Sequence, residues 1–332
     1  MPSYYSQHGG FIFAMAITHY MYLMTNPPTI DRKIRVHYTK SESVDHVSQL
    51  EHELAREALR YHGIEDKMEI SSMADLPSGT GLGSSSCYLV ALLMGLHHYR
   101  RNFVTLQQLA EQACDIELRI LGKGIGKQDQ YMAAYGGLSR LDIAKDGTVT
   151  VRPVETSISA ISELIANTHL YYTGFRRDTT EMLADQDCAM KASVPRVRGV
   201  VEDSLSRIKD LGYRIYEAIV EEDFDRWGQL THEHWMLKKQ LSTKVSMAKI
   251  DQIYEEVRAK HHVLGGKIVG AGGGGFLLLY CNKNHRQLET FMAGQGMPRL
   301  HYAVDPEGCK VIASFASHRV LAADFGPKGR LA

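Results

Sequence analysis

The sequence predicts an α+β chain of two domains. Its 332 residues exceed what one hydrophobic core usually organises. Strand-like and helix-like segments do not alternate as a doubly wound parallel sheet would require. A break near Val154 separates residues 1–154, which close on a turn between two strands, from a more helical half at 155–332. Hydrophobic residues at 44% and charged residues at 23% are ordinary for a soluble globular chain.

Residues 11–24 are apolar, β-branched and aromatic, and Asn26-Pro27-Pro28 stops them, which predicts strand structure. IRVHY at 34–38 alternates as a strand should. From 47 to 61 the apolar spacing turns helical through Leu50, Leu54, Ala58 and Tyr61, and Gly63 ends it. A short strand at 68–73 leads into a Gly-rich loop. Residues 84–99 then read as a helix apolar on nearly all sides, hence a buried one. Residues 106–121 are predicted as one helix, stopped by GKGIGK at 122–127. Gly136-Gly137 introduces a strand at 138–142, and Asp146-Gly147 is a tight-turn signal before 148–153. The second half reads as a strand at 169–173, helices across 182–220, 224–239 and 249–262, and strands at 267–270, 276–280, 301–304 and 311–315.

Basic and acidic residues balance at 38 each, so no global field favours nucleic acid or an anionic membrane. Any anion site must be local. Cys87, Cys114, Cys188, Cys281 and Cys309 are odd in number and form no C-x-x-C pair, which suggests neither a disulfide framework nor a zinc cluster and fits a reducing cytosol. The N-terminus MPSYYSQHGG has no signal-peptide pattern, and the most apolar window, 88–96, is far short of the roughly 20 residues a membrane span needs. A soluble, cytoplasmic chain is expected.

Three segments can carry chemistry. The first is PSGTGLGSSS: Pro77, Ser78, Gly79, Thr80, Gly81, Leu82, Gly83, Ser84, Ser85 and Ser86. Its glycines let the backbone come close to a ligand, and the helix that follows offers unpaired N–H groups and a positive dipole end. The serines add hydroxyls for phosphate oxygens or Mg²⁺. The plainer reading is a glycine turn with a serine cap. A Walker-type loop and a protein-kinase catalytic loop are absent from the sequence, and GTGLGS puts Ser where a dinucleotide-binding G-x-G-x-x-G has its last Gly. The second segment pairs Glu117 with Asp129, since phosphoryl transfer needs one carboxylate for a metal and another to orient or deprotonate a hydroxyl. Lys127 and Gln128 flank Asp129 and could bond a polyhydroxylated substrate. Taken alone, a Glu on a helix and an Asp in a turn are more often solvated. The third is KIVGAGGGGFLLLY, where Gly270, Gly272, Gly273, Gly274 and Gly275 lie between two apolar strands. Such a run implies a backbone packed closely against a ligand or another loop, with a flexible hairpin as the alternative. His232-Glu233-His234 invites a metal reading, but two-residue spacing splays the histidines on a helix, so an ordinary surface pair is favoured.

Together these segments resemble the GHMP small-molecule kinases, named after galactokinase, homoserine kinase, mevalonate kinase and phosphomevalonate kinase. The motif P-x-x-x-G-L-G-S-S followed by Ala or Ser is matched by residues 77–86, and the C-terminal glycine cluster by residues 270–275. The resemblance implies an N-terminal ribosomal-S5-domain-2-like domain and a C-terminal ferredoxin-like domain, ATP as phosphoryl donor, and Mg²⁺ shared by Ser85 and Glu117. It further implies Ser84 on phosphate, Asp129 at the acceptor hydroxyl, and the glycines around Gly274 buttressing the phosphate loop. SYYSQHGGFI, GKGIGKQDQYMAAYGGL and YTGFRRDTTEML resemble the subgroup acting on D-glycero-D-manno-heptose 7-phosphate. That implies phosphorylation at the anomeric hydroxyl to the 1,7-bisphosphate for surface-polysaccharide biosynthesis. A substrate phosphate needs a basic partner, for which Arg176, Arg177 and Lys127 are the candidates. L-fucose kinases share much of this pattern, so an L-fucose or related sugar 1-kinase stays open; another GHMP branch is disfavoured. The partners implied are ATP and a small sugar phosphate, with no nucleic acid and no membrane, and a homodimer is left open. In the family an Arg-containing strand ending in a G-G-G-T-D-L-like loop precedes the segment resembling MPSYY. The expected fold therefore lacks that first strand, and a catalytically impaired sugar- or nucleotide-binding protein is the alternative to an active kinase.

Overall fold

The computed structural model describes residues 2–175, 195–241 and 245–315. Helix α1 (Pro2–His8) opens the chain and buries Tyr4 and Tyr5. The apolar stretch predicted at 11–24 divides into β1 (Gly10–Met15) and β2 (Met21–Asn26), which enter different sheets. Strand β1 pairs antiparallel with β6 (Leu138–Ile143), and β6 with β7 (Val149–Pro153). Strand β2 pairs antiparallel with β5 (Met68–Ala74); β5 runs parallel to β3 (Ile34–His37), which forms a hairpin with β4 (Ser41–Val44). Thus β1 and β2 each stand at the edge of a sheet. Strand β4 (SESV) alternates exposed serines with half-buried Glu42 and Val44, and one apolar residue gives it no apolar signal.

Helix α2 (Glu53–Tyr61) starts later than its periodicity suggests. The His52 ring accepts the Ala55 N–H and sets the start, while Val47–Gln49 is a separate 3₁₀ turn that still buries Val47. Helix α3 (Ser84–Tyr99) occupies the predicted residues and forms the centre of the N-terminal core. Leu89, Leu92, Leu93 and Leu96 are fully covered, each contributing roughly 1.5–3 kcal/mol by leaving water. The predicted helix at 106–121 is α4 (Leu106–Cys114) followed by a π-helical turn, Asp115–Ile120. A further helix, α5 (Gln128–Tyr135), lies between the glycine turn and Gly136.

The C-terminal half comprises α6 (Ile158–Asn167), β8 (Thr168–Tyr172), α7 (Pro195–Val220), α8 (Phe224–Leu241), α9 (Ala248–Lys260), β9 (Val263–Ile268), β10 (Phe276–Cys281), α10 (His285–Gly294) and β11 (Arg299–Leu300). Its sheet is antiparallel in the order β11-β8-β10-β9. Strand β9 begins at Val263, ahead of the predicted Lys267, because Gly265-Gly266 belongs to the strand rather than breaking it. A Cβ on Gly265 would stand 1.8 Å from the Gly228 carbonyl oxygen, so helix α8 rests directly on the strand backbone. The predicted strand at 311–315 does not form: Ile312 and Phe315 are exposed and that segment pairs with no strand among the described residues. The predicted strand at 301–304 contributes only the Ile17–Val304 bridge.

Residues 303–309 cross back to the N-terminal half. Asp305 N–H donates to Ala16 O at 3.0 Å, Gly137 N–H to Asp305 O at 2.6 Å and Cys309 N–H to Ala134 O at 3.2 Å. A Cβ on Gly136 would meet the Gly308 nitrogen at 2.3 Å, so backbone lies on backbone there too. The break near Val154 falls between β7 and α6, and a core of Leu138, Leu164, Leu211 and Trp227 spans it. Among the described residues no helix is long and apolar enough to cross a membrane.

The α8–β9 contact yields a stability test. Gly265→Ala is expected to lower the melting temperature by several degrees or more, because overpacking against backbone costs about 1–3 kcal/mol and has nothing flexible to relieve it. Gly294→Ala, in α10 with nothing within 4 Å of its added Cβ, should leave the melting temperature unchanged or raised. Thermal denaturation of the two variants beside the parent checks both.

Candidate active site

Residues 77–83 form a loop, exposed at 77–79 and half-buried at 81–83, whose three glycines all take left-handed φ angles: +77° at Gly79, +80° at Gly81 and +73° at Gly83. Left-handed residues at alternate positions are what an anion nest uses to turn successive N–H groups toward one side. Gly83 is the N-cap of α3 and no side chain caps the helix, so its first amides remain available. Thr80, fully buried, donates its hydroxyl to Pro77 O at 3.1 Å and folds the loop on itself.

Behind this loop lies the second glycine run. A Cβ on Gly275 would come within 2.0 Å of Thr80 O, and one on Gly270 within 2.6 Å of Gly81 O. Gly273 N–H donates to Val245 O and Gly275 N–H to Phe175 O, each at 2.8 Å. The run is therefore tied down; Gly270 and Gly275 press on the first loop, whereas Gly272 and Gly274, expected to buttress it, lie against the backbone of Val245 and Phe175. Only glycine permits that approach, and it is close packing rather than flexibility that explains the cluster.

Glu117 is fully buried on the π-helical turn. Ser85 Oγ donates to its Oε1 at 3.0 Å, Ser86 Oγ to Oε2 at 2.8 Å and Gln130 Nε2 to Oε2 at 2.6 Å. Lys123 Nζ stands 3.8 Å from Oε1 and pairs at 2.8 Å with Glu53. A carboxylate this enclosed is tolerated only when its oxygens are so occupied. The π turn supplies the extra residue that carries Glu117 round to the serines, a feature no apolar periodicity announces. For a Mg²⁺ ion the donor set fits: Glu117 Oε1 and the exposed Ser85 hydroxyl are adjacent hard oxygens, and Mg²⁺ commonly takes one or two carboxylates with water and substrate phosphates. Among the described residues no larger His, Cys, Asp or Glu cluster could hold a metal.

Asp129, in the first turn of α5, packs against Gly83; a Cβ there would lie 3.1 Å from its own. Burial, and then the neighbouring Glu117 charge, push its carboxyl up to about 6. It is half-buried, enclosed by protein but open to a cavity of about 1680 Å³. Gly81, Leu82, Gly83 and Gln128 also line that cavity, and β1, β2 and α3 give it apolar walls through residues such as Ile12, Leu23 and Met94.

The structure thus brings the phosphate-type loop, Glu117, Asp129 and Gln128 together. It does not bring Lys127, whose ammonium is held by Glu111 at 2.8 Å and by Gly147 O at 2.8 Å, away from the cavity lining. Arg176 and Arg177 lie outside the described residues. The histidines read as a surface pair are not one: His232 is held by Tyr254 and Arg258, and His234 faces the cavity. Two lysines missed in the sequence, Lys238 and Lys267, line it as well. The signal for Lys267 was a basic residue within the apolar strand VLGGKI, immediately before the glycine run; Lys238, in the last turn of α8, had none.

Two family models match the chain, GHMP kinases N terminal domain over residues 47–137 and GHMP kinases C terminal over residues 215–291, together just over half its length. A D-glycero-alpha-D-manno-heptose 7-phosphate kinase of Campylobacter jejuni is 27% identical over 243 residues, 73% of this chain and 69% of that protein. A bifunctional fucokinase/GDP-fucose pyrophosphorylase of Arabidopsis thaliana is 27% identical over 225 residues, 67% of this chain but only 21% of that protein. Among solved structures, a D-glycero-D-manno-heptose 1-phosphate kinase from Bacteroides thetaiotaomicron superposes with a TM-score of 0.72 at 21% identity, covering 93% of each chain. A Lactococcus lactis galactokinase complexed with galactose gives 0.70 at 17% identity, covering 92% of this chain and 90% of that one.

The raised Asp129 carboxyl has a thermodynamic signature. A group whose folded-state value lies above its unfolded value favours the fold when protonated, and that contribution is lost as pH rises from about 4 through about 6. Asp129→Asn removes the loss. Its melting temperature should exceed the parent's at pH 7.5, and the gap should close by pH 4; equal gaps at both values would contradict the assignment.

Proposed function

The chain belongs to the GHMP kinases, an α+β fold of two GHMP domains, and from that premise we propose that it is an ATP-dependent sugar kinase acting on the anomeric hydroxyl of D-glycero-D-manno-heptose 7-phosphate. The observation that supports the reaction class is the direct packing of Asp129 on Gly83, which puts a carboxyl group beside the glycine loop in one cavity. The acceptor rests on likeness to the heptose kinase of Campylobacter jejuni. We assign residues 1–154 to the nucleotide side and 155–332 to the second domain.

In this reading the amides of residues 79–86 and the N-terminus of α3 receive the nucleotide phosphates. Ser85 and Glu117 hold Mg²⁺, which when bound neutralises charge on the transferring phosphoryl group. Ser86 and Gln130 fix the Glu117 carboxylate so that Ser85 and Glu117 keep one arrangement. Asp129 takes the proton of the anomeric hydroxyl as that oxygen bonds to the γ-phosphorus and the bond to the bridging oxygen breaks, releasing ADP. Gln128 orients the sugar from the same helix turn. Because the transition state is loose, positioning by Asp129 matters at least as much as its basicity.

A second reading, an L-fucose or related sugar 1-kinase, is favoured by the fucokinase match. Coupled ADP release with heptose 7-phosphate, L-fucose and no sugar separates the two. The expectation is turnover with heptose 7-phosphate and formation of the 1,7-bisphosphate. Higher kcat/KM for L-fucose selects the second reading, and no turnover with any sugar leaves a binding protein. Asp129→Asn should lower kcat by about 10²–10⁴. In the parent, kcat/KM should fall as pH drops below about 6, where Asp129 is protonated.

A further inference from the structure

The cavity wall supplied by the C-terminal half carries two ammonium groups that no carboxylate among the described residues pairs with. Lys238 on α8 and Lys267 on β9 both line it, with His234 one helical turn before Lys238. Lys238 Nζ donates to the Gly270 carbonyl, and Lys267 has no hydrogen-bond or ion-pair partner among the described residues. His234 Nδ1 is buried without a partner. The next residue shows the contrast: Lys239 turns away and pairs with Asp251 at 3.1 Å. Burial and mutual repulsion push the Lys238 ammonium down to about 7, and burial lowers Lys267 also. Like charges enclosed without a counter-charge are costly and are relieved by an anion. The location narrows the anion. The Gly270 carbonyl that anchors Lys238 belongs to the residue pressed on Gly81 O, so the pair sits beside the phosphate-type loop.

We infer that Lys238 and Lys267 form a phosphate-receiving site in the cavity wall, filling the role that Lys127, already held by Glu111, does not. The inference rests on the kinase reading for its source of phosphate, either the monoester carried by the acceptor or the terminal phosphate of the nucleotide. Two ammonium groups suit a dianion, each with several donors to share.

Titration calorimetry on the parent chain, Lys267→Gln, Lys238→Gln and Lys267→Arg tests this with inorganic phosphate, heptose 7-phosphate, unphosphorylated heptose, ADP and a non-hydrolysable ATP analogue. Lys267→Gln should weaken inorganic phosphate binding about tenfold or more, with Lys267→Arg retaining most of it. If the acceptor supplies the phosphate, the preference for heptose 7-phosphate over heptose disappears in Lys267→Gln while nucleotide affinity holds. If the nucleotide supplies it, the preference for the ATP analogue over ADP disappears instead. The inorganic phosphate titration needs no turnover, so it reports on this site even should the chain phosphorylate no sugar. Lys267→Gln should also melt no lower than the parent without ligand, since it removes an unbalanced charge. Unchanged affinity for every probe in both glutamine variants, with the fold intact, would overturn the inference.

Discussion

Glu117 has no solvent exposure, and three side chains from two other elements converge on its oxygens. Ser85 and Ser86 bring the first turn of α3, and Gln130 brings α5, the helix that also carries Asp129. A buried carboxylate stripped of these donors would carry a desolvation cost of several kcal/mol, so the elements have a strong reason to meet in this one arrangement. The phosphate-type loop is consequently fixed at its C-terminal end by a charge rather than by apolar packing alone. Asp129 inherits its place from the same network, one residue before Gln130.

At its other side the loop is fixed by backbone. Thr80 and Gly81 lie against Gly275 and Gly270 so closely that no side chain fits between them. Hydrogen bonds from Gly273 and Gly275 tie the second glycine run to Val245 and Phe175 in the C-terminal half. The two halves therefore share the loop as a common wall. Any displacement of the β9–β10 hairpin is transmitted to the amides that would face phosphate, because interlocked backbone has no soft degree of freedom to absorb it.

Much of this was legible in the residues. Three glycines, three serines and an apolar run in sequence mark a tight loop leading into a buried helix, and α3 spans the residues its pattern predicts. The glycine cluster signalled close approach, though not against what. Elements that rely on polar or tertiary causes were not legible. Strand β4 is held by pairing with β3 rather than by an apolar face, and the π turn at Glu117 exists to satisfy a network whose members are distant in sequence. Lys127 misled because it stands two residues before Asp129 in the chain, whereas at the helix start its side chain turns to Glu111. Lys238 and Lys267 went unread because only the packing of α8 on β9, with Gly228 against Gly265, brings them to one wall.

The return of residues 303–309 has a bearing on how the molecule is made. Synthesis proceeds from the N-terminus, and domains generally fold as units as they emerge. Here the first half cannot be finished that way. Ala16, Ala134 and Gly137 wait for partners at 305 and 309, and the seat at Gly136 stays bare until Gly308 arrives. While the ribosome is still translating the second half, the end of α5 is an open joint, and with it the helix that carries Asp129. Assembly of the Asp129 surroundings is thereby coupled to the emergence of nearly the whole described chain.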